Sequence, residues 1–208
     1  MDARITCANV QRNFQARSTD MNTSYLDPLR QTIGQLPISS PPSPWEIAAQ
    51  FAVGSLLEVG FDRDSELLLV TSSSGRSVID CLTGQKIARD YTEDVESNQY
   101  LEAEGIGPLT GKTIPMAGIN GGSLPVGAFD GWVIENVPLN WPCHHLLLVE
   151  PGSWLYGAQY KKASAFHKLA IEIGLRAFGF SYTGQTLIIA TSSSLIVYRR
   201  STTPNAAL

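Results

Sequence analysis

From Gly54 onward the chain alternates short aliphatic, β-branched-rich runs with clusters of turn residues. SLLEVGF, ELLLVTSS, RSVIDCL and QKIARDY are separated by FDRDS, SSG and TG. Runs of this length between Gly, Ser and Asp read as strands closed by tight hairpins, and they predict one four-stranded antiparallel meander. Near the other end RAFGFSYT, TLIIATSS and SLIVYRR, with turns at YTGQ and SSS, predict a second meander. Between the two, Thr113 to Gly157 is rich in Gly, Pro and Trp. There TIPMAGI, GWVIENV, HHLLLVEP and SWLYGAQY read as short strands, and the prolines favour sheet edges and irregular loops. KKASAFHKLAIEIG mixes two periods: Ala163, Phe166 and Leu169 or Ala170 share a helical face, while LAIEIGL alternates like a strand. That boundary stays open.

Before Gly54 the pattern differs. Residues 1–44 are polar and end in LPISSPPSP, whose prolines block both helix and central strand; this reads as a leader and linker. A short helix fits Asp20 to Leu36, but Pro28 and Gly34 interrupt it, so it needs another element to pack on. WEIAAQFAV follows Pro44 with Trp45, Ile47, Ala48 and Phe51 spaced for one or two helical turns. The acidic TEDVESNQYLEAEG reads as a solvated loop or as a short helix at Val95 to Ala103. The expected organisation is a leader over 1–44, one β-rich domain over 45–200 and a tail over 201–208.

The two meanders share a pattern: Gly-Phe, a polar turn, an aliphatic run ending in Thr-Ser-Ser-Ser, then a second β-branched run. Phe61 and Thr71 are ten residues apart, Phe180 and Thr191 eleven, a difference that a turn can absorb. The pattern is an internal repeat. Over about Ser55 to Tyr91 and Leu175 to Arg200 it resembles a blade of the WD-repeat β-propeller family. The resemblance rests on Phe180-Ser181-Tyr182-Thr183-Gly184 at the first turn, and on Val78-Ile79-Asp80 with Thr83-Gly84 at the third strand and its turn. Ile79 stands where that family has the Trp of its Trp-Asp pair, and no Gly-His pair precedes the blade. The resemblance implies a mainly β fold of four-stranded meanders, a small or partial propeller. A β-sandwich is the alternative, and either carries a short helical N-terminal region.

Composition narrows the function classes. With 208 residues, 43% hydrophobic and 16% charged, the chain can bury a sizeable core. Net charge is −4, and basic residues cluster only in the pairs Lys161-Lys162 and Arg199-Arg200, which argues against nucleic acid as a partner. The longest apolar runs, LLLV at Leu67 to Val70 and at Leu146 to Val149, are too short to span a bilayer. MDARITCANVQRNFQARSTD lacks the apolar stretch of a signal peptide, so a cytoplasmic protein with no membrane partner is expected. Cys7, Cys81 and Cys143, odd in number and far apart, read as reduced thiols.

Candidate chemistry begins with GIGPLTGKT, Gly105 to Thr113, whose end matches a phosphate-binding loop. The motif needs its first glycine at position 106, which is Ile106; Pro115 also blocks the helix that should follow. No nucleotide site is expected there. Cys143, His144, His145 and Glu150 in CHHLLLVE include zinc-ligand types, but adjacent strand residues face opposite ways and His167 is the one remaining histidine, so neither metal nor cofactor is expected. Asp62, Asp64 and Glu66 read as a solvated turn, and the Thr-Ser-Ser-Ser stretches lack a nucleophile elbow.

Aromatic residues concentrate in the middle: Trp132, Trp141, Trp154, Tyr156 and Tyr160, with Asp130 and Glu150 among them. They are either core of the middle sheets or large contact groups on loops. The leading expectation is a non-enzymatic protein-binding module using Asp130, Trp132, Trp141, His144, Glu150, Trp154 and Tyr156. By analogy of size and acidity, it would be a small inhibitor of the immunity-protein type that neutralises its partner. The alternatives are a hydrolase using His144 or His145 with Asp130 or Glu150, and a scaffold subunit that pairs through exposed strand edges. No oligomeric state follows from the sequence.

Overall fold

The computed structural model describes residues 24–92 and 97–201. Most of the leader, Cys7, Val95 and the tail beyond Ser201 lie outside the described residues. The protein is mainly β, with antiparallel sheets; among the described residues there is one α-helix and no closed barrel. No described helix is long and apolar enough to cross a membrane. The chain divides into two compact units. One holds the described residues up to Ser39 with Glu135–Ile173, the other Ser40–Ile134 with the described residues from Gly174 onward.

In the larger unit, the first meander forms as expected from β2 (Leu56–Phe61), β3 (Leu67–Ser72), β4 (Gly75–Asp80) and β5 (Gln85–Asp90), with β8 (Ala117–Gly118) on the outer edge of β2. β6 (Glu102–Glu104) pairs separately with β7 (Thr113–Pro115). The second meander is β12 (Leu175–Phe180), β13 (Thr186–Thr191) and β14 (Ser194–Arg200). Its fourth strand is β1 (Trp45–Ala52), the segment whose spacing suggested a helix. Two turns of isolated helix are marginal in water, whereas β14 offers WEIAAQFA an antiparallel ladder interrupted only by a bulge at Ala48, and tertiary pairing overrides the local period.

The sheets match in register. Phe61 pairs with Leu68 and Phe180 with Leu187; bulges fall at Leu57 and Arg176, and again at Ile87 and Ala48. Asp62 N donates to Leu67 O as Ser181 N does to Thr186 O, 2.9 and 3.0 Å. The two first turns are therefore equal in length and absorb no extra residue. The Thr-Ser-Ser-Ser stretches are instead one residue out of step: Ser72, not Thr71, takes the place of Thr191. Ser72 Oγ faces Gly75 O at 3.1 Å and accepts from Ser74 N, while Thr191 Oγ1 faces Ser194 O at 3.5 Å and accepts from Ser193 N.

One core joins the sheets in a sandwich-like arrangement. Val59, Phe61, Leu68, Val70 and Ile79 of the first pack with Ala177, Ile188, Ala190, Leu195 and Val197 of the second. Burying each large aliphatic group contributes about 1.5–3 kcal/mol. Phe180, the register equivalent of Phe61, instead meets Trp45, 5.5 Å between ring centroids.

The smaller unit contains α1 (Asp27–Gln35) and a sheet ordered β11 (Phe166–Glu172), β10 (Cys143–Val149), β9 (Val133–Asn140). Pro28 in the first turn suits a helix start, and the extended Leu36 before Pro37 ends the helix. As the sequence required, α1 packs on another element: Ile33, 1% exposed, joins Leu147 and Leu155. Ile38 then bridges in parallel to Lys168. FHKLAIE is entirely strand, whereas SWLYGAQY is a turn followed by a 3-10 helix at Gly157–Tyr160, not the expected strand. Cys143 is disulfide-bonded, contrary to the expectation of reduced thiols; Cys81 is free and buried, and burial pushes its thiol pKa up.

Candidate functional site

The candidate residues fall into separate places. Asp130 and Trp132 belong to the larger unit. Trp132 is buried, its ring edge-on to Trp45 at 6.2 Å, which is a core role, and Asp130 pairs with Arg200 at 2.8 Å. Trp141 and His144 lie at the β9–β10 hairpin, ring centroids 5.8 Å apart. Trp141 is exposed; His144 Nδ1 lies 3.1 Å from Asn136 Oδ1, and burial lowers its pKa. His145 points to the other face and is buried, its Nδ1 without a hydrogen-bond partner. Burial first, then the nearby Lys168, holds His145 below the usual imidazole range. Lys168 is itself buried, donates to Ile33 O in the last turn of α1, and has its pKa lowered by burial. Of the two carboxylates considered with His144 or His145, Glu150 lies beside His167 instead, and Asp130 pairs with Arg200.

A different part of the smaller unit carries the most chemistry. A cavity of about 420 Å³ opens between α1 and the segment following β10, with Pro28, Leu29, Thr32 and Leu36 on one side and Leu155, Tyr156 and Phe166 on the other. The volume is in the range of ligand or side-chain pockets. At its edge His167 Nε2 and Glu150 Oε1 are 2.7 Å apart, both side chains partly exposed. Strand pairing creates this meeting: Leu148 opposes His167 on β11, so Glu150, just past the end of β10, comes alongside.

The turn after β10 folds tightly. Trp154 N donates to Ala163 O and Glu150 N to Ala165 O, each at 3.0 Å. Gly157 sits so close to Ala163 O that a Cβ would lie 2.1 Å from it, so a side chain is excluded there. Two of its rings face outward, Trp154 stacking on Tyr160 at 5.1 Å and 23°, while the half-buried Tyr156, 5.7 Å from Trp154, packs inward on the core and lines the cavity. Trp154 is 46% and Tyr160 61% exposed.

Of the sequence candidates, Glu150, Trp154 and Tyr156 come together here. His167 and Tyr160 complete the group. The cavity wall from α1 had no sequence signal beyond the short helix's need for a partner. Among the described residues no three His, Cys, Asp or Glu side chains converge as a metal set. GIGPLTGKT also holds no anion cradle: a strand follows Lys112, whose Nζ lies 2.8 Å from both oxygens of the buried Asp62. No family model and no curated protein matches the chain.

Proposed function

We propose that the protein is a non-enzymatic binding module of the inhibitor type, built on blade-like meanders, and that it grips a protein partner through Trp154, Tyr156 and Tyr160 beside the α1 cavity. The observation that carries this reading is an exposed, mutually stacked Trp–Tyr pair next to an apolar cavity. Exposed Trp and Tyr cost little conformational entropy to fix and dominate interface energetics when a partner covers them. The cavity would receive an apolar side chain of the partner, and Glu150 Oε2, not used by His167, would accept a hydrogen bond at its rim. Acidity and size support the inhibitor assignment, by analogy with immunity-type proteins.

The test is a stoichiometric partner recovered from the native cell, followed by variants. Trp154→Ala and Tyr160→Ala are expected to weaken that complex about tenfold or more, while Phe129→Ala, at a 96% exposed ring in the larger unit, leaves it unchanged. Equal loss in all three variants, or in none, overturns the reading. The Glu150–His167 pair favours one rival, acid–base chemistry at that dyad in place of His144 or His145. A hydrolytic activity abolished by His167→Ala with partner binding intact would select it.

A further inference from the structure

In the larger unit a second cavity, about 230 Å³, opens between the end of β1 and the edge of the first meander. Its polar side chains are Ser72, Ser74, Ser77, Lys86, Arg89 and Tyr91, and no carboxylate lines it. Arg89 is oriented beforehand: Nη1 donates to Ser77 Oγ at 2.8 Å, Nη2 to Ser74 O at 2.7 Å, and the guanidinium lies 4.8 Å from the Tyr91 ring centre. Ser77 is 3% exposed and its oxygen accepts from Arg89, which fixes the guanidinium at the cavity wall. Lys86 makes no ion pair among the described residues, while Asp90, next to Arg89, is taken by Arg76 at 2.7 Å.

We propose that this cavity binds a small tetrahedral oxyanion, a phosphate or the phosphate group of a small monoester. Two cations border one cavity that no carboxylate lines, so an anion there would meet the Lys86 ammonium, the N–H groups of Arg89 and the hydroxyl of Ser77. The long side chains could simply cover the edge of the core with their stems. The second sheet argues against that requirement. Where Ser77 pairs with Arg89, it has Ile196 with Gln50; where Ile79 pairs with Lys86, it has Tyr198 with Ile47. The same register stands without either cation.

The experiment is calorimetric titration of the full chain with inorganic phosphate at fixed ionic strength, with glycerol phosphate as a second arm and chloride and acetate as controls. One saturable phosphate site is expected, weakened at least about tenfold in both Arg89→Ala and Lys86→Ala. Tighter binding of glycerol phosphate identifies a monoester as the ligand; equal or weaker binding identifies free phosphate. Lys86→Ile with Arg89→Gln, copying the second sheet, is expected to keep its melting temperature in phosphate-free buffer and lose binding. Should that double variant unfold, Lys86→Gln at its exposed position serves instead. An equal response to chloride or acetate overturns the proposal, as does the absence of a saturable phosphate site or phosphate binding unchanged in the cation variants. Trp154 plays no part here, so this result is independent of the partner-binding test.

Discussion

The two meanders of the larger unit share pairing register, both bulge positions and the bond that closes the first turn, yet differ at the positions where other chain segments cover them. In the first sheet Glu58 is fully buried and accepts from Ser97 N and Oγ, at 3.1 and 2.8 Å; its equivalent in the second sheet is Ala177. Asp62 is clamped by Lys112, and its equivalent is Ser181. What the two keep in common specifies a meander. What differs specifies what docks on it: segment 97–118 is tied to the first sheet through buried carboxylates, while segment 124–125 meets the second through backbone and apolar groups.

The strongest test of the common part is the glycine of each Gly-Phe pair. A Cβ on Gly60 would lie 2.3 Å from Pro115 O; on Gly179, 2.5 Å from Leu124 Cβ and 2.7 Å from Pro125 O, with a φ of +149° as well. Both glycines let a covering segment approach the sheet, and backbone cannot move aside as a side-chain tip can. Gly179→Ala is expected to lose about 3 kcal/mol in chemical denaturation, with Gly60→Ala somewhat less costly because it lacks the dihedral strain. Equal stability to the parent in either variant would break the proposed equivalence.

Next in size is Glu58→Ala, which writes the second sheet's residue into the first. Loss of two hydrogen bonds to a buried carboxyl acceptor is expected to cost about 2 kcal/mol and to expose the amide of Ser97 to hydrogen exchange, with β2–β3 protection retained. If β2–β3 protection falls along with Ser97, the carboxylate holds the meander itself and the division drawn above fails.

The meanders were legible because their signals are local: turn residues at short spacing and aliphatic runs of strand length. Three other features were not local. WEIAAQFA fits a helical turn, and only the free edge of β14, far along the sequence, makes it a strand. The Thr-Ser-Ser-Ser match suggested a register that the backbone bonds shift by one residue. The candidate site needs β10–β11 pairing to bring His167 to Glu150 and helix packing to wall the cavity, and neither leaves a motif in the chain. Glu150, Trp154 and Tyr156 were found as isolated chemical types; Trp132 has the same composition signal and is core.

Asp62 sharpens the comparison through pH. Burial pushes its pKa up, but hydrogen bonds from Lys112 and Ser65 outweigh that and leave it below its ordinary value near 3.8. A folded pKa below the unfolded one gives a stabilisation complete above about pH 4 and lost as pH falls through the folded value. Asp90, lowered to about 2 by Arg76 and then Thr92, behaves in the same sense. Asp62→Ser, copying Ser181, is expected to flatten part of the stability loss below pH 4, read from melting temperature against pH, and to leave the profile between pH 5 and 8 unchanged. An acid limb as steep as the parent's would show that the Lys112 clamp does not act through Asp62.

The smallest effect tests the one-residue shift itself. Ser72 and Thr191 each use a hydroxyl to accept an amide two residues on, closing the β3–β4 and β13–β14 hairpins. If they are equivalent, exchanging them as Ser72→Thr and Thr191→Ser keeps both bonds and changes stability by less than about 0.5 kcal/mol. Removing the hydroxyl by Ser72→Ala should cost about 1 kcal/mol, and Thr191→Ala somewhat more because Thr191 Oγ1 also accepts from Ser194 N at 3.0 Å. Thr71 Oγ1 is engaged differently, on Glu58 O at 3.3 Å, a weak bond inside the sheet. Its register equivalent is Ala190, so Thr71→Ala should be the mildest of the three alanine variants. A larger loss for Thr71→Ala than for Ser72→Ala would restore the alignment of the two Thr-Ser-Ser-Ser stretches and place the extra residue back in the first turn.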